Sequence, residues 1–236
     1  FAKWIRSHRD LPILINQWSN VVRWEFKHPT PFIRTREFLW QEGHTAHTSR
    51  DEADAFALSI LDRYEECYRD IMALPVVKGR KSDNEKFAGG DWTYTCEAYS
   101  TINGRSIQAC TSHLLGQNFA KMFGIEYQGK DMGKQRVWQT SWGFSTRSIG
   151  SFIMIHADNL GMVMTPKIAI VQVVIIPIFF KDKQEEIKKR TAEVEELLRK
   201  AGIRVEVDDR ENYSPGFRIN YWEIRGNIHP DCRCSS

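Results

Sequence analysis

The sequence predicts an α+β domain, with an antiparallel sheet and flanking helices, followed by a smaller α/β domain. Two extended stretches, Asn20–Phe26 and Phe32–Trp40, are joined by a proline-bearing turn, which is typical of a hairpin. After residue 50 the apolar spacing becomes helical, and strand-like, turn-rich sequence follows over residues 76–112. Beyond residue 166 a strand, a helix and a strand succeed one another, which indicates a parallel βαβ unit.

The remaining elements of the first domain follow from local signals. A helix is expected over residues 51–73, with Thr48 or Ser49 as its N-cap and Pro75 beyond its end. A short helix over residues 112–123, closed by Gly124, is followed by a hairpin over residues 125–141. A last helix is expected from Thr146 to Asp158.

We place the domain boundary near residue 166, so that the first domain spans residues 1–166 and the second spans residues 167–226. The apolar run Ile168–Ile176 has the length of a buried strand. The charged segment Lys183–Lys200 is the expected helix, and alternation from Ile203 marks the second strand. Residues 227–236 remain an unassigned tail.

Composition limits the function classes. The chain has 236 residues and a net charge of +3, from 33 basic and 30 acidic residues. This balance does not indicate nucleic-acid binding, so any RNA contact needs a local basic patch. No membrane span is expected, because the longest apolar stretch holds Gln172 and Pro177 and is too short. Cys67, Cys96 and Cys110 have the apolar neighbours of reduced core thiols, which indicates a cytoplasmic location.

Arginines and acids follow each other closely on the two strands of the first hairpin. Alternation places Arg23 and Glu25 on one face of their strand, and Arg34 and Arg36 on one face of the other. A planar guanidinium binds two oxygens at once and therefore suits phosphate. The alternative is a set of cross-strand salt bridges on an exposed sheet, and the spacing by itself favours that alternative.

Two further segments carry polar groups next to predicted helices. Arg147 stands near the start of the helix at Ile149, where the helix dipole disfavours a cation. Such a position suits an anion that contacts both the arginine and the free N–H groups of the helix. The alternative is an arginine that points into solvent. Gln108, Thr111 and His113 combine an amide, a hydroxyl and an imidazole, although turn and capping roles are commoner for such residues.

The amino-acid sequences of these segments resemble those of one family. Residues 16–44 resemble motif 2, and residues 141–150 motif 3, of prolyl-tRNA synthetases of the eukaryotic and archaeal type. Residues 75–80, 85–90 and 111–119 are similar to blocks between the two motifs. Residues 171–177 and 210–216 resemble the anticodon-binding domain of the family. The resemblance implies a class II catalytic core with an antiparallel sheet, followed by an α/β anticodon-binding domain.

The resemblance also implies roles for individual residues. Arg23 would bridge the ATP α-phosphate and the proline carboxylate, and Arg147 would contact the γ-phosphate, so these two are the expected catalytic residues. The expected ATP-binding residues are Arg23, Glu25, Arg34, Thr35, Gln108, Thr111, Ser145 and Arg147. The expected proline-binding residues are Arg23, Trp40, Glu42, Phe87 and His113. No protein-held metal site is expected.

The implied function is the ATP- and Mg²⁺-dependent activation of L-proline to prolyl-adenylate and its transfer to tRNA(Pro). No general base is needed, because the attacking carboxylate is already ionised, so positioning and charge stabilisation carry catalysis. The implied partners are L-proline, ATP and tRNA(Pro), with a homodimer for the full-length protein. The alternative is a truncated, non-catalytic fragment or paralogue that binds nucleotide or tRNA only.

The chain departs from the family pattern at both ends. Motif 1, which builds the dimer interface, and the Thr-x-Glu loop that holds the proline imino group are not found, so we expect poor activity from these residues by themselves. In the tail, Cys232 and Cys234 could be half of a zinc site with His229 as a third ligand, but a structural site needs four.

Overall fold

The protein is described by a computed structural model that covers residues 1–25, 27–100, 104–159 and 161–226. Phe26 and the tail from residue 227, with the zinc hypothesis at Cys232 and Cys234, lie outside the described residues. Contacts divide the chain into two compact units, with the division between Ile155 and His156. The domain boundary at residue 166 stays a prediction.

The first unit is built on a six-stranded sheet with the strand order β1-β2-β8-β5-β4-β3, in which every neighbouring pair is antiparallel. The strands of this unit are β1 (Ile13–Val22), β2 (Glu37–His47), β3 (Val76–Arg80), β4 (Trp92–Ser100), β5 (Arg105–Gly116), β6 (Glu126–Gln128), β7 (Lys134–Arg136) and β8 (Trp138–Ser145). Its helices are α1 (Arg50–Glu66), α2 (Asn118–Phe123) and α3 (Arg147–His156), the last of which ends at the division. The predicted antiparallel sheet with flanking helices is therefore confirmed.

Helix α1 covers one face of this sheet. The Ser49 side chain caps it by accepting a hydrogen bond from the Glu52 N–H. Its buried face packs onto the sheet, where the Tyr64 ring lies 5.4 Å from that of Phe144 and Ser112 donates to the Ala57 carbonyl. The helix continues as one π-helical turn, Cys67–Ile71, so the predicted helical segment is two residues too long.

The opposite face of the same sheet is not covered by α1. Strand pairing aligns Glu42 of β2 with Gly143 of β8, and Gly143 with Thr111 of β5. Two residues further along each of the same three strands, a second row is formed by His44, Ser141 and His113. Because side chains alternate between faces, these two rows point away from the face that α1 covers.

The first hairpin is confirmed, but its strands lie further from the turn than predicted. Strands β1 and β2 end at Val22 and begin at Glu37, so Arg23, Glu25 and Arg34 belong to their connection. Prolines at positions 29 and 31 have no N–H group to donate to a ladder, which explains why regular pairing stops there. One ladder-like bond, from the Arg23 N–H to the Arg36 carbonyl at 2.7 Å, closes the base of the connection.

The helix predicted over residues 112–123 begins too early. Strand β5 runs to Gly116, whose φ of +64° ends it, and α2 starts only at Asn118. Gly124 closes α2 in the left-handed conformation, as predicted. As a result, Thr111 and His113 are strand residues and do not belong to a helix start. The hairpin of β6 and β7 and the helix α3 are confirmed.

The second unit contains the predicted βαβ arrangement. Strand β9 (Val173–Ile175) pairs in parallel with β10 (Val205–Val207), and α4 (Gln184–Lys200) connects them. The apolar run from Ile168 forms only this three-residue strand, and Ile170 is 87% exposed, so a fully buried strand was a wrong expectation. A further helix, α5 (Pro215–Ile224), was not predicted, although Ser214 as N-cap and Pro215 at the first helical position mark its start.

Asp208 holds α5 to the end of β10. Its buried carboxylate accepts hydrogen bonds from Arg210 at 2.8 and 2.7 Å and from the Trp222 indole at 2.8 Å. The hydrogen bond from Arg210 lowers the pKa of Asp208 to about 2. The buried guanidinium of Arg218 donates to the carbonyls of Asp208 and Pro177, which adds the segment after β9 to the same network.

We predict that Asp208→Asn destabilises the second unit. The substitution removes a charge-assisted pairing, for which a loss of about 2 kcal/mol is typical. Since the folded carboxyl has the lower pKa, its contribution is present above pH 3.8 and is lost as the pH falls towards 2. Acid unfolding followed through the Trp222 indole signal should therefore become less steep in the variant.

The matched control is Asp209→Asn, which removes the neighbouring, exposed carboxylate. Equal stability losses from the two substitutions would contradict the role of Asp208.

Candidate active site

A cleft of about 500 Å³ opens on the sheet face opposite α1, within the first unit. Every residue that the sequence assigns to ATP or proline lines this cleft. They are Arg23, Glu25, Arg34, Thr35, Trp40, Glu42, Phe87, Gln108, Thr111, His113, Ser145 and Arg147. The connection between β1 and β2, the loop before β4, strands β2, β5 and β8, and the start of α3 thus meet around one cavity.

One part of the cleft gathers positive charge. Burial lowers the pKa of Arg147, and the nearby guanidinium groups of Arg34 and Arg23 lower it further. Arg147 is the first residue of α3, where the helix dipole adds to the positive potential. Its Nε donates to the Ile33 carbonyl at 3.0 Å, which fixes it to the connection that carries Arg34. An anion bound here would relieve the mutual repulsion of the three groups.

Aromatic rings orient Arg23. Its guanidinium carbon lies 5.4 Å from the centre of the Phe38 ring and 5.5 Å from that of Trp40, in the geometry of cation–π contacts. The indole N–H of Trp40 donates to Ser19 Oγ at 3.1 Å, so β1 fixes the ring. These two contacts hold Arg23 at the cleft, although this exposed residue belongs to no helix or strand.

Gly143 leaves room for the Trp40 ring beside strand β8. A Cβ atom at Gly143 would come within 3.2 Å of that ring, closer than ordinary carbon contacts. The tryptophan is half-buried and lines the cleft, so it forms one of the cleft's walls. Any larger residue at position 143 would push the ring away from the sheet.

Phe87 and His113 form a second wall. Their rings lie 5.2 Å apart, and His113 Nδ1 lies 2.9 Å from the hydroxyl of Thr93. Burial, together with the smaller effect of the Lys81 charge, lowers the pKa of His113 to about 4. At neutral pH this wall is therefore polar and uncharged.

Acidic and amide groups at the cleft are held by neighbours. The carboxylate of Glu42 accepts a hydrogen bond from Gln17, and His44 Nε2 lies 3.3 Å from its other oxygen. Gln108 accepts from Lys81 Nζ. Both residues thus have defined orientations in the cleft.

The structure changes the interpretation of the first hairpin and of the segment that holds Gln108 and His113. The arginines of the first hairpin do not face each other along strands: Arg36 lies 4.0 Å from the Trp24 ring and donates to the Lys27 carbonyl at 3.4 Å. Arg23 and Arg34 are the ones that line the cleft. Gln108 and His113 are strand residues of β5, so the capping alternative for that segment was wrong.

Sequence reasoning missed several lining residues, among them Phe38, His44, Lys81, Lys86, Thr93 and Ser141. Three of these lie in or beside the loop before β4, whose path no periodicity predicts. The family-like block at residues 85–90 was the available signal for that loop. Phe38 and His44 are at alternate positions of β2 with Trp40 and Glu42, so the correct strand register would have found them.

The described residues were compared with the features of metal sites and membrane spans in their side chains and helices. Among those residues no group of three or more histidine, cysteine, aspartate or glutamate side chains is arranged to hold a metal ion. No helix in the described part of the chain has both the length and the apolar character that crossing a membrane requires.

Comparison with known proteins defines the class. The model of the tRNA synthetase class II core domain (G, H, P, S and T) matches residues 1–156, and that of the anticodon binding domain matches residues 172–227. The chain therefore belongs to the class II tRNA synthetase family, as the resemblance of its motifs implied.

Within that family the chain is similar to proline-specific members. It is 54% identical to the cytoplasmic proline–tRNA ligase of Arabidopsis thaliana over 96% of its own length and 43% of the relative's. It is 51% identical to the proline–tRNA ligase of Encephalitozoon cuniculi, of which it covers 46%. A crystal structure of the Cryptosporidium parvum prolyl-tRNA synthetase with L-proline and AMP superposes with a TM-score of 0.90 at 61% identity, covering 95% of this chain and 48% of that one. The chain thus spans less than half the length of these relatives.

The neutral state of His113 has a measurable consequence for stability. Because the folded pKa is depressed to about 4, the unfolded chain binds a proton that the folded chain does not between about pH 6.5 and 4. Stability from this group is therefore complete above pH 6.5 and is lost as the pH falls. We expect urea unfolding at pH 7, 6 and 5 to show that the free energy of unfolding falls with pH less steeply in His113→Asn than in wild type. The difference in slope should be up to about 1.4 kcal/mol per pH unit.

The matched control is His28→Asn, which replaces an exposed histidine outside the buried wall. The same slope in wild type and His113→Asn would mean that His113 is not held neutral by burial.

Proposed function

We propose that this cleft activates L-proline with ATP to give prolyl-adenylate, and that the whole protein transfers the prolyl group to tRNA(Pro). One observation carries the proposal: three guanidinium groups converge in a cleft that also has an aromatic, uncharged pocket. A triphosphate with a small apolar amino acid needs these two environments side by side. The rival, a fragment that binds nucleotide or tRNA only, shares the first environment but has no use for the second.

The arginines would bind the phosphates. Arg147 at the start of α3 would take the γ-phosphate, and Arg23 would bridge the α-phosphate and the proline carboxylate. The other proposed ATP contacts are Glu25, Arg34, Thr35, Gln108, Thr111 and Ser145. Mg²⁺ usually binds substrate phosphates with one or two carboxylates, and those of Glu25 and Glu85 line the cleft.

The aromatic part of the cleft would bind proline. Trp40 and Phe87 would enclose the pyrrolidine ring, and neutral His113 and Glu42 would supply its polar boundary. The proline carboxylate, oriented by Arg23, attacks the α-phosphorus, and pyrophosphate leaves. The carboxylate is ionised before it binds, so positioning and charge stabilisation are sufficient for this step.

The solved relatives support this assignment of ligands. The Cryptosporidium parvum enzyme has been crystallised with L-proline and AMP, and also with halofuginone and AMPPNP. The second of these structures superposes on this chain with a TM-score of 0.89 at 59% identity. L-proline is an amino acid, and AMP and AMPPNP are adenine nucleotides; these are the substrate classes that we propose here.

Substitution of Arg147 tests the phosphate role. Arg147→Ala should reduce proline-dependent pyrophosphate exchange by about a hundredfold, since loss of one preorganised donor typically has that effect. ATP binding measured by calorimetry should weaken as well. Arg63→Ala, which removes an exposed arginine of α1, is the matched control and should change neither measurement.

The whole protein also separates the two functions. ATP binding by the whole protein without any proline-dependent exchange would overturn the proposed activation and favour a protein that binds nucleotide or tRNA only.

We also propose that the second unit contacts tRNA through α5 and the residues just before it. Tyr213, Phe217 and Tyr221 are each separated by about one helical turn, and the first two rings stack 4.6 Å apart at an angle of 14°. The guanidinium of Arg210 lies 4.5 Å from the Tyr221 ring, and that of Arg225 lies 3.6 Å from it. Partly exposed aromatic rings beside arginines suit unpaired bases and phosphates. In the family, this domain's expected role is to read the proline anticodon.

Loss of a stacking ring should weaken tRNA binding. Phe217→Ala should raise the Kd for tRNA(Pro) by about tenfold, because one base–aromatic stack contributes about 1–3 kcal/mol. Wild-type affinity should also fall steeply between about 50 and 200 mM salt. Filter binding measures both, with the exposed Leu197→Ala on α4 as the control. An unchanged Kd for Phe217→Ala, or salt-independent binding, would contradict the proposal.

The proposal extends to assembly and location. The edge strand β1 exposes Leu14 at 54%, Trp18 at 82% and Val22 at 68% on one face, with Leu39 of β2 at 62% beside them. Exposed large apolar side chains on one face of an edge strand support a protein–protein contact, and we propose a homodimer for the full-length protein. We further propose that it acts in cytoplasmic protein synthesis.

A further inference from the structure

The hydroxyl of Thr93 stands between the two residues of the second cleft wall. Thr93 is on β4, directly opposite His113 on β5, and is 1% exposed. Within the described residues its Oγ1 has two hydrogen-bond partners: the Phe87 backbone N–H at 2.9 Å and His113 Nδ1 at 2.9 Å. One buried side chain therefore contacts both members of the wall.

The chemistry of a hydroxyl group determines which way these bonds run. A backbone N–H is only a donor, so Thr93 Oγ1 accepts from Phe87. The hydroxyl hydrogen then needs an acceptor, because a buried donor without a partner is costly. Among the described residues His113 Nδ1 is the group at hydrogen-bond distance that can accept it, and it can do so only if that nitrogen carries no proton. In the neutral ring the proton must then be on Nε2.

We propose that Thr93 is a positioning residue that holds His113 in the Nε2–H tautomer and fixes Phe87 against it. This inference rests on the proposed function only in naming the pocket as the site for proline. The nitrogen of His113 that remains for the cleft is then a hydrogen-bond donor, which suits a carboxylate or carbonyl oxygen of the substrate and disfavours an ammonium group.

Thr93 also anchors the loop that carries Phe87. Its backbone carbonyl accepts a hydrogen bond from the Lys81 N–H at 2.8 Å, while its hydroxyl accepts from the Phe87 N–H. The loop between these two points supplies Lys81, Glu85, Lys86 and Phe87 to the cleft lining. Loss of the hydroxyl should therefore release the end of the loop near Phe87 and leave the end at Lys81 in place.

Three variants separate the hydroxyl from general packing. Thr93→Val keeps the shape and removes the hydroxyl, while Thr93→Ser keeps the hydroxyl and removes a methyl group. Thr95→Val is the matched control, because Thr95 is a buried threonine on the same strand and face. The Thr95 hydroxyl bonds Glu97 and the Cys110 carbonyl instead of the cleft wall.

The first measurement is the tautomer of His113, from the ¹⁵N resonances of its ring in the 236-residue chain at pH 7. We expect the Nε2–H form in wild type, Thr93→Ser and Thr95→Val, and a mixture of tautomers in Thr93→Val. An Nδ1–H form in wild type would overturn the inference, even if Thr93→Val does not fold. An unchanged tautomer in folded Thr93→Val would overturn it as well.

The second measurement is substrate affinity by calorimetry. Thr93→Val should raise the Kd for L-proline by about tenfold, the effect of one unsatisfied buried polar group, and should change the Kd for ATP less than about twofold. Thr93→Ser should restore proline affinity to nearly the wild-type value. Unchanged proline affinity in Thr93→Val would overturn the positioning role. Absence of proline binding by wild type would count against the proposed function instead. The measured tautomer of His113 would still test the role of Thr93.

Discussion

The cleft depends on the register of three strands at the centre of the sheet. Pairing of β2, β8 and β5 places Glu42, Gly143 and Thr111 in one row and His44, Ser141 and His113 in the next. A slip of one residue in any of these strands would turn its cleft side chains towards α1 and its core side chains into water. The face that packs on α1 therefore also helps to specify the site, because the packing of Trp142 and Phe144 against that helix excludes a one-residue slip of β8.

Within this frame, the cleft gathers like charges at one place and excludes charge at another. Arg147 is held by the Ile33 carbonyl and Arg23 by two aromatic rings, so their guanidinium groups stay close despite repulsion. The free energy of folding offsets the repulsion between these guanidinium groups before any ligand binds, and a bound anion then reduces that repulsion. The same principle explains the burial of His113: a charged imidazole beside Lys81 would add repulsion to the site, and desolvation keeps it neutral.

Sequence reasoning was reliable where a single residue decides the local structure. Gly124 ends its helix through a left-handed backbone, as the sequence predicted, and Ser49 was one of the two residues predicted as the cap of α1. It was unreliable where long-range pairing decides, as at the ends of β1 and β2 and in the short strand after Ile168. The site residues came from resemblance to a family. Thr93 shows the limit of that approach, since its role depends on three groups from a loop and two strands that no local pattern brings together.

A reaction without a general base changes what a histidine in the cleft has to do. If the attacking carboxylate needs no deprotonation, a titrating imidazole brings no advantage, and a charged one would compete with the arginines for the same carboxylate. A neutral ring with a defined tautomer instead offers one donor in a fixed direction. The depressed pKa of His113 and its bond to Thr93 therefore serve the same end, because the first removes the charge and the second determines which nitrogen keeps the proton. In the proposed reaction, selectivity for a small, apolar amino acid would then rest on shape and one oriented hydrogen bond, while the arginines would supply the electrostatic stabilisation.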